Sequence, residues 1–129
     1  MKVLAEISVG ELFDKITILN IKTKKIEDQQ KLKNIHKELN TLNEQAIKID
    51  ISDKLSLDDQ VKKLQSINEE LWDIENFKRE CEANKDFGEN FIKLSRDVHF
   101  KNDIRAEIKK EINLLSNSII VEEKEYSKY

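Results

Sequence analysis

The sequence predicts an all-α protein of four main helices in an antiparallel bundle, the last of them kinked, and three observations carry that prediction. Apolar residues recur at spacings of three and four through most of the chain, the repeat of one helical face. There are two glycines and no proline, so the residues that most often interrupt helices are nearly absent. Short clusters of capping and turn residues divide the chain into pieces of helical length. With 129 residues, 38% of them hydrophobic, one helical domain over 1–129 is expected, large enough to bury roughly two-thirds of the surface its unfolded form exposes.

Ser8-Val9-Gly10-Glu11 has the S-x-x-E form of a capping box, in which Ser8 accepts from the backbone of Glu11 and the Glu11 side chain reaches back. A helix starting there carries Leu12, Ile16, Leu19, Thr23 and Ile26 on one face. Ile18 and Ile21 fall on the opposite side, so this helix is either central or meets a second subunit, and a homodimer through helix one is the expectation. Leu32, Ile35, Leu39, Leu42, Ala46 and Ile49 form a second stripe out of phase with the first, which places a break near residues 27 to 30 with Asp28 able to cap the restart. Asp50 to Lys54 reads as a loop, after which Ser56 or a neighbour caps a third helix bearing Leu57, Val61, Leu64, Ile67, Leu71, Ile74 and Cys81. Lys85-Asp86-Phe87-Gly88 is the clearest turn.

The fourth helix carries Phe91, Leu94 and Val98, then Ile104, Ile108, Ile112, Leu115 and Ile119. Its stripe rotates between Val98 and Ile104, so a kink or short break is expected near Phe100 to Asp103. Val3 to Ile7 and Ile119 to Val121 are short apolar or β-branched runs suited to extended segments, either paired as strands or packed on the bundle.

Composition narrows function more by exclusion than by pointing. A single cysteine, Cys81, forbids an intrachain disulfide and fits a cytoplasmic location. Together with two histidines it cannot build a four-ligand zinc site. Two glycines leave no phosphate cradle or dinucleotide fingerprint, so no cofactor is expected. No apolar run reaches the roughly 20 residues that cross a bilayer, and no membrane association is expected. The formal charge of −3, with lysines scattered among acids, gives no basic patch for nucleic acid. Lysine (20) far outnumbers arginine (3), so the three arginines, Arg79, Arg96 and Arg105, mark positions where a planar fork is wanted.

Asn68, Trp72, Glu75 and Arg79 recur at four, three and four along one ridge of the third helix, beside its apolar stripe. Glu75 and Arg79 are spaced for an ion pair, and Arg79 is expected to be the more sensitive arginine. Asn102 and Arg105 lie near the stripe of the fourth helix. These six residues are either an internal polar network or a pocket for a small anion or a protein partner's carboxylate. The alternative is catalytic: Glu11 with Asp14, and Glu70 with Asp73, are acidic pairs three apart that on facing helices could hold Mg²⁺, as all-helical nucleotide pyrophosphohydrolases do. With 26 acids in the chain, about five such pairs arise by chance. A non-enzymatic binding or scaffolding module is therefore the preferred expectation, and the Mg²⁺-dependent hydrolase the alternative.

Ile7 to Leu19, Leu71-Trp-Asp-Ile-Glu75, Phe91-Ile-Lys-Leu-Ser-Arg96 and Asn102-Asp-Ile-Arg105 together resemble an uncharacterised family of small bacterial proteins, a domain of unknown function. The resemblance runs nearly end to end and implies no activity, substrate or catalytic residue. Asp14 to Lys22 is also superficially similar to the first helix of helical chorismate mutases, whose active site needs cationic side chains from several helices.

Overall fold

Four helices follow one another in a computed structural model that describes residues 1–129: α1 Val9–Lys25, α2 Gln29–Ala46, α3 Lys54–Ala83 and α4 Glu89–Leu115. With 71% of residues helical and no strand, against about a third helix in an average domain, the chain is an all-α helical bundle.

The helix ends show why these segments form. Ser8 is extended and its Oγ accepts from Glu11 N at 3.0 Å, but the Glu11 carboxylate turns away from the cap to Lys109, 2.6 Å off. Only the Ser8 half of the expected capping box is made. Lys22, Lys24 and Lys25 occupy the last turn of α1, where unpaired carbonyls favour positive charge. Extended Ile26 then ends the helix, and Asp28 restarts the chain by accepting from Lys31 N at 2.8 Å. The cap of α3 is Asp53 instead of Ser56, which serves as the donor at 3.1 Å. That hydrogen bonding from Ser56 holds the Asp53 carboxyl below its ordinary 3.8.

In the Lys85 to Gly88 turn the left-handed residue is Lys85, at φ 55°, and Gly88 caps α4 with a negative φ. α4 runs unbroken through Phe100 to Asp103. Its stripe rotates because its neighbours change: Leu94, with Phe91 and Val98, packs against Ile74 and Cys81 of α3. Ile108 and Ile112 pack farther along α3, against Leu57, Leu64 and Ile67, with Val9 and Phe13 of α1 alongside. Neither terminal apolar run forms a strand.

α1 touches all three other helices, whereas α2 packs on α1 alone. Leu12, Ile16 and Leu19 meet Ile35 and Leu39 of α2. The opposite face turns to α3 and α4, where Ile21 is 1% exposed and Ile18 is half-buried. Both sides of α1 are thus covered by the chain itself, and the two-sided pattern gives no reason for a second subunit.

α1 and α4 approach closely at Gly10, whose N–H donates to Asn113 Oδ1 at 2.7 Å. A Cβ there would lie 2.6 Å from the Lys109 carbonyl oxygen and 3.0 Å from Asn113 Oδ1. The first of these is backbone and cannot swing aside. Gly10→Ala is therefore expected to destabilise by about 1–3 kcal/mol through overpacking, although alanine's better helix propensity alone would add up to about 1 kcal/mol. Urea denaturation decides the sign, and an alanine variant more stable than wild type would contradict the close approach.

Candidate functional site

The polar centre of the bundle is Asp14, a carboxylate only 2% exposed between α1, α3 and α4. Burying a charge this deeply is sustainable only with partners, and every neighbouring helix supplies one. Arg105 of α4 forks onto it, with Nε 2.9 Å from Oδ1 and Nη2 on Oδ2. Asn68 of α3 donates from Nδ2 to Asp14 Oδ1 and to Thr17 Oγ1, both at 2.9 Å. The Thr17 hydroxyl donates in turn to the Asp14 carbonyl at 2.9 Å. Lys109 Nζ stands 3.5 Å from Asp14 Oδ2, 2.6 Å from Glu11 Oε2 and 3.1 Å from Glu122 Oε1.

Burial pushes the Asp14 carboxyl up, but the hydrogen bonds from Arg105 and Asn68 and the charges of Arg105 and Lys109 together hold it below 3.8. For Lys109, burial works downward. The hydrogen bond to Glu11, the charge of Asp14 and the contact with Glu122 outweigh it and hold the amine above 10.5. Bonding to Asp14 raises Arg105 as well, so all three groups are charged at neutral pH.

The segment after α4 completes the cluster. Ser118 Oγ accepts from Val9 N at 3.1 Å, and Glu122 Oε1 accepts from Ser8 Oγ at 3.3 Å. The first three N–H groups of α1, at Val9, Gly10 and Glu11, are thus satisfied by Ser118, Asn113 and Ser8, groups that a helix start otherwise leaves to water.

Above this floor a cleft of about 270 Å³ opens between α1, α3 and α4. Ile18, Ile21, Leu71 and Val98 are its apolar walls, and Asn68, Trp72, Glu75, Asn102 and Arg105 supply polar atoms and the one indole. Five of the six residues singled out on the ridges of the third and fourth helices therefore line one cleft. Arg105 Nη1 donates to Asn102 Oδ1 at 3.3 Å, tying two of them together.

Arg79 is the exception. It pairs with Glu75 at 2.9 Å, but the two side chains are 76% and 60% exposed, so this is a surface ion pair worth little. The ranking of the arginines reverses, and Arg105 is the one whose fork is used. Arg96 is exposed. The four carboxylates of the metal alternative do not converge: Glu11 and Asp14 are engaged by Lys109 and Arg105, Glu70 faces Lys101 at 3.4 Å, and Asp73 is exposed. No group of three or more His, Cys, Asp and Glu side chains is disposed to hold a metal ion.

In the sequence Asp14 stands out only as half of an acidic pair. Its better signal is its place on the Asp14, Thr17, Ile18, Ile21 stripe, a charge within an apolar face. Lys109 carries no such mark among so many lysines, although it lies one turn beyond Arg105.

These features define an all-helical bundle organised around a buried ion cluster with a cleft of mixed polarity beside it. The chain belongs to the family of unknown function DUF6165, whose model matches residues 1–129. Neither the curated proteins nor the solved structures provide a significant match. No helix is long and apolar enough to cross a membrane.

Asp14 and Arg105 should dominate stability. Asp14→Asn is expected to cost about 3–5 kcal/mol at neutral pH, because it leaves buried cations without their counter-charge. Since the folded pKa of Asp14 lies below its unfolded value, its contribution is full above the ordinary aspartate range and is lost as pH falls through the folded value. The gap between wild type and Asp14→Asn should therefore narrow below about pH 4. Urea melts across pH measure it, and a gap that stays constant would sink the assignment. In the same assay Arg105→Lys should lose about 1–3 kcal/mol, with Arg79→Lys within about 0.5 kcal/mol of wild type.

Proposed function

We propose that this chain is a non-enzymatic binding module and that the cleft between α1, α3 and α4 is its ligand seat. The observation that carries the reading is the convergence of Asn68, Trp72, Glu75, Asn102 and Arg105, drawn from two helices, around one opening with branched apolar walls. A few placed polar groups set in an apolar concavity are what a small-molecule site requires. Asp14 sits beneath and locks Asn68 and Arg105 in place, so the cleft floor is preorganised and little ordering cost accompanies binding. Hydrolysis finds less support, because three of the four acids it would use, Glu11, Asp14 and Glu70, are already paired with lysine or arginine, and Asp73 is exposed apart from them. A cytoplasmic setting suits a chain whose single cysteine, Cys81, is buried and free.

Trp72 is the only tryptophan and lines the cleft, so its fluorescence reports occupancy directly. A fragment screen read by Trp72 emission and by melting should yield compounds that, at a hundredfold excess over Kd, add about 2.7 kcal/mol of stability. Val98→Phe, which fills the cleft from its apolar wall without touching the ion cluster, should abolish those responses while keeping the helical circular dichroism. Hits that bind Val98→Phe as well as wild type would remove the cleft as the seat. Mg²⁺ with nucleoside triphosphates should shift neither signal, and stabilisation by that pair would favour the hydrolase instead.

A further inference from the structure

The polar atoms of the cleft also specify what kind of group it prefers. Asn68 is 5% exposed and its Nδ2 is fully used, donating to Asp14 and Thr17. Ionised Asp14 only accepts, and the Thr17 hydroxyl proton is already given to the Asp14 carbonyl, so the amide can face these partners only with its nitrogen. Its oxygen points the other way and receives no hydrogen bond from the chain. Every side-chain nitrogen or oxygen shut off from solvent has a partner, so the Asn68 oxygen keeps an opening, and the cleft is where Asn68 is lined up to meet it.

Free donors lie beside this free acceptor. Of the five N–H groups on a guanidinium, Arg105 uses two on Asp14 and one on Asn102, which leaves two. Asn68 Nδ2 and Arg105 Nε are each 2.9 Å from the same Asp14 Oδ1, so the two side chains are immediate neighbours. The floor therefore carries a free acceptor and free donors on two neighbouring side chains.

Net charge is unwelcome here. The Arg105 charge is already answered by Asp14, and the Glu75 carboxylate on the rim by Arg79, so an anion gains no free cation. A cation likewise finds no free carboxylate, since Asp14 and Glu75 are both paired. An uncharged group with N–H and C=O next to each other answers both free positions without burying a net charge. Resting on the reading of the cleft as the ligand seat, we infer that its ligand is a small neutral carboxamide on a compact, branched apolar body, with the amide across Asn68 and Arg105 and the body against Ile18, Leu71 and Val98.

Four probes with one branched skeleton test this: isovaleramide, isovalerate, isoamylamine and isoamyl alcohol, titrated into the full chain with Trp72 emission and backbone amide NMR shifts as readouts. Isovaleramide should bind in the millimolar range expected for so small a molecule, with shifts clustered on α1, α3 and α4 around the cleft. The acid and the amine should be weaker by at least about tenfold, and Val98→Phe should lose the response. If isovalerate or isoamylamine binds as well as the amide and Val98→Phe still blocks it, the amide preference is overturned and the cleft stands. If isovaleramide binds wild type and Val98→Phe alike, the cleft itself is overturned. If no probe binds, the carboxamide inference is overturned, and the broader fragment screen remains the measure of the cleft.

Discussion

The fold depends on one buried carboxylate. Asp14 lies where α1, α3 and α4 meet, and a charge with 2% exposure tolerates no arrangement that leaves it unpaired. Hydrophobic contacts between three amphipathic helices could be satisfied at several offsets, since isoleucine and leucine faces are forgiving. Hydrogen bonds from Asn68 and Arg105 are not. They choose one offset, and the choice propagates along α4, where Arg105, Lys109 and Asn113 follow one another a turn apart. Those three meet Asp14, Glu11 and Gly10 of α1 in reverse order, which sets the antiparallel register of the pair. α2 contributes no partner to this ladder and packs only on α1.

Much of this was legible in the sequence. The break before Asp28, the turn at Lys85 to Gly88 and the start at Ser8 each rest on a local hydrogen bond that residue type announces. The polar ridge of α3 was legible because Asn68 and Trp72 interrupt an apolar flank at helical spacing, and Arg105 because a fork is scarce in this composition. What sequence could not supply was the pairing across helices. Asp14 has no long-range mark except its place on the Ile18 and Ile21 stripe, and Glu122 lies in a tail without periodicity. The rotation of the α4 stripe read as a break when it records a change of neighbour, from α3 alone to α3 with α1 beside it.

The fork geometry of arginine matters at Arg105 and not at Arg79. Scarcity picks out positions where lysine is not equivalent, but a spacing of four picks out only pairs that can form. Glu75 and Arg79 form theirs in water, where geometry is worth little. Arg105 has no carboxylate three or four residues away on its own helix to advertise it. Its partner is 91 residues away in the chain, and its value comes from the burial of that partner.

Stability and recognition are consequently difficult to separate in this protein. The side chains that settle helix register, Asn68 and Arg105, are the same ones that offer free hydrogen-bonding positions to the cleft. Each can do both because its chemistry is two-sided: a carboxamide donates inward and accepts outward, and a guanidinium can fork onto Asp14 with N–H groups to spare. Replacing either side chain would disturb the floor and the bundle together, so a loss of binding in such a variant says little about contact with a ligand. The walls are different. Ile18, Leu71 and Val98 shape the opening from outside the ion cluster, so changes in their volume alter the cleft while Asp14 keeps its partners. Any dissection of function in this fold has to work from the walls inward, because the floor is also the keystone of the bundle.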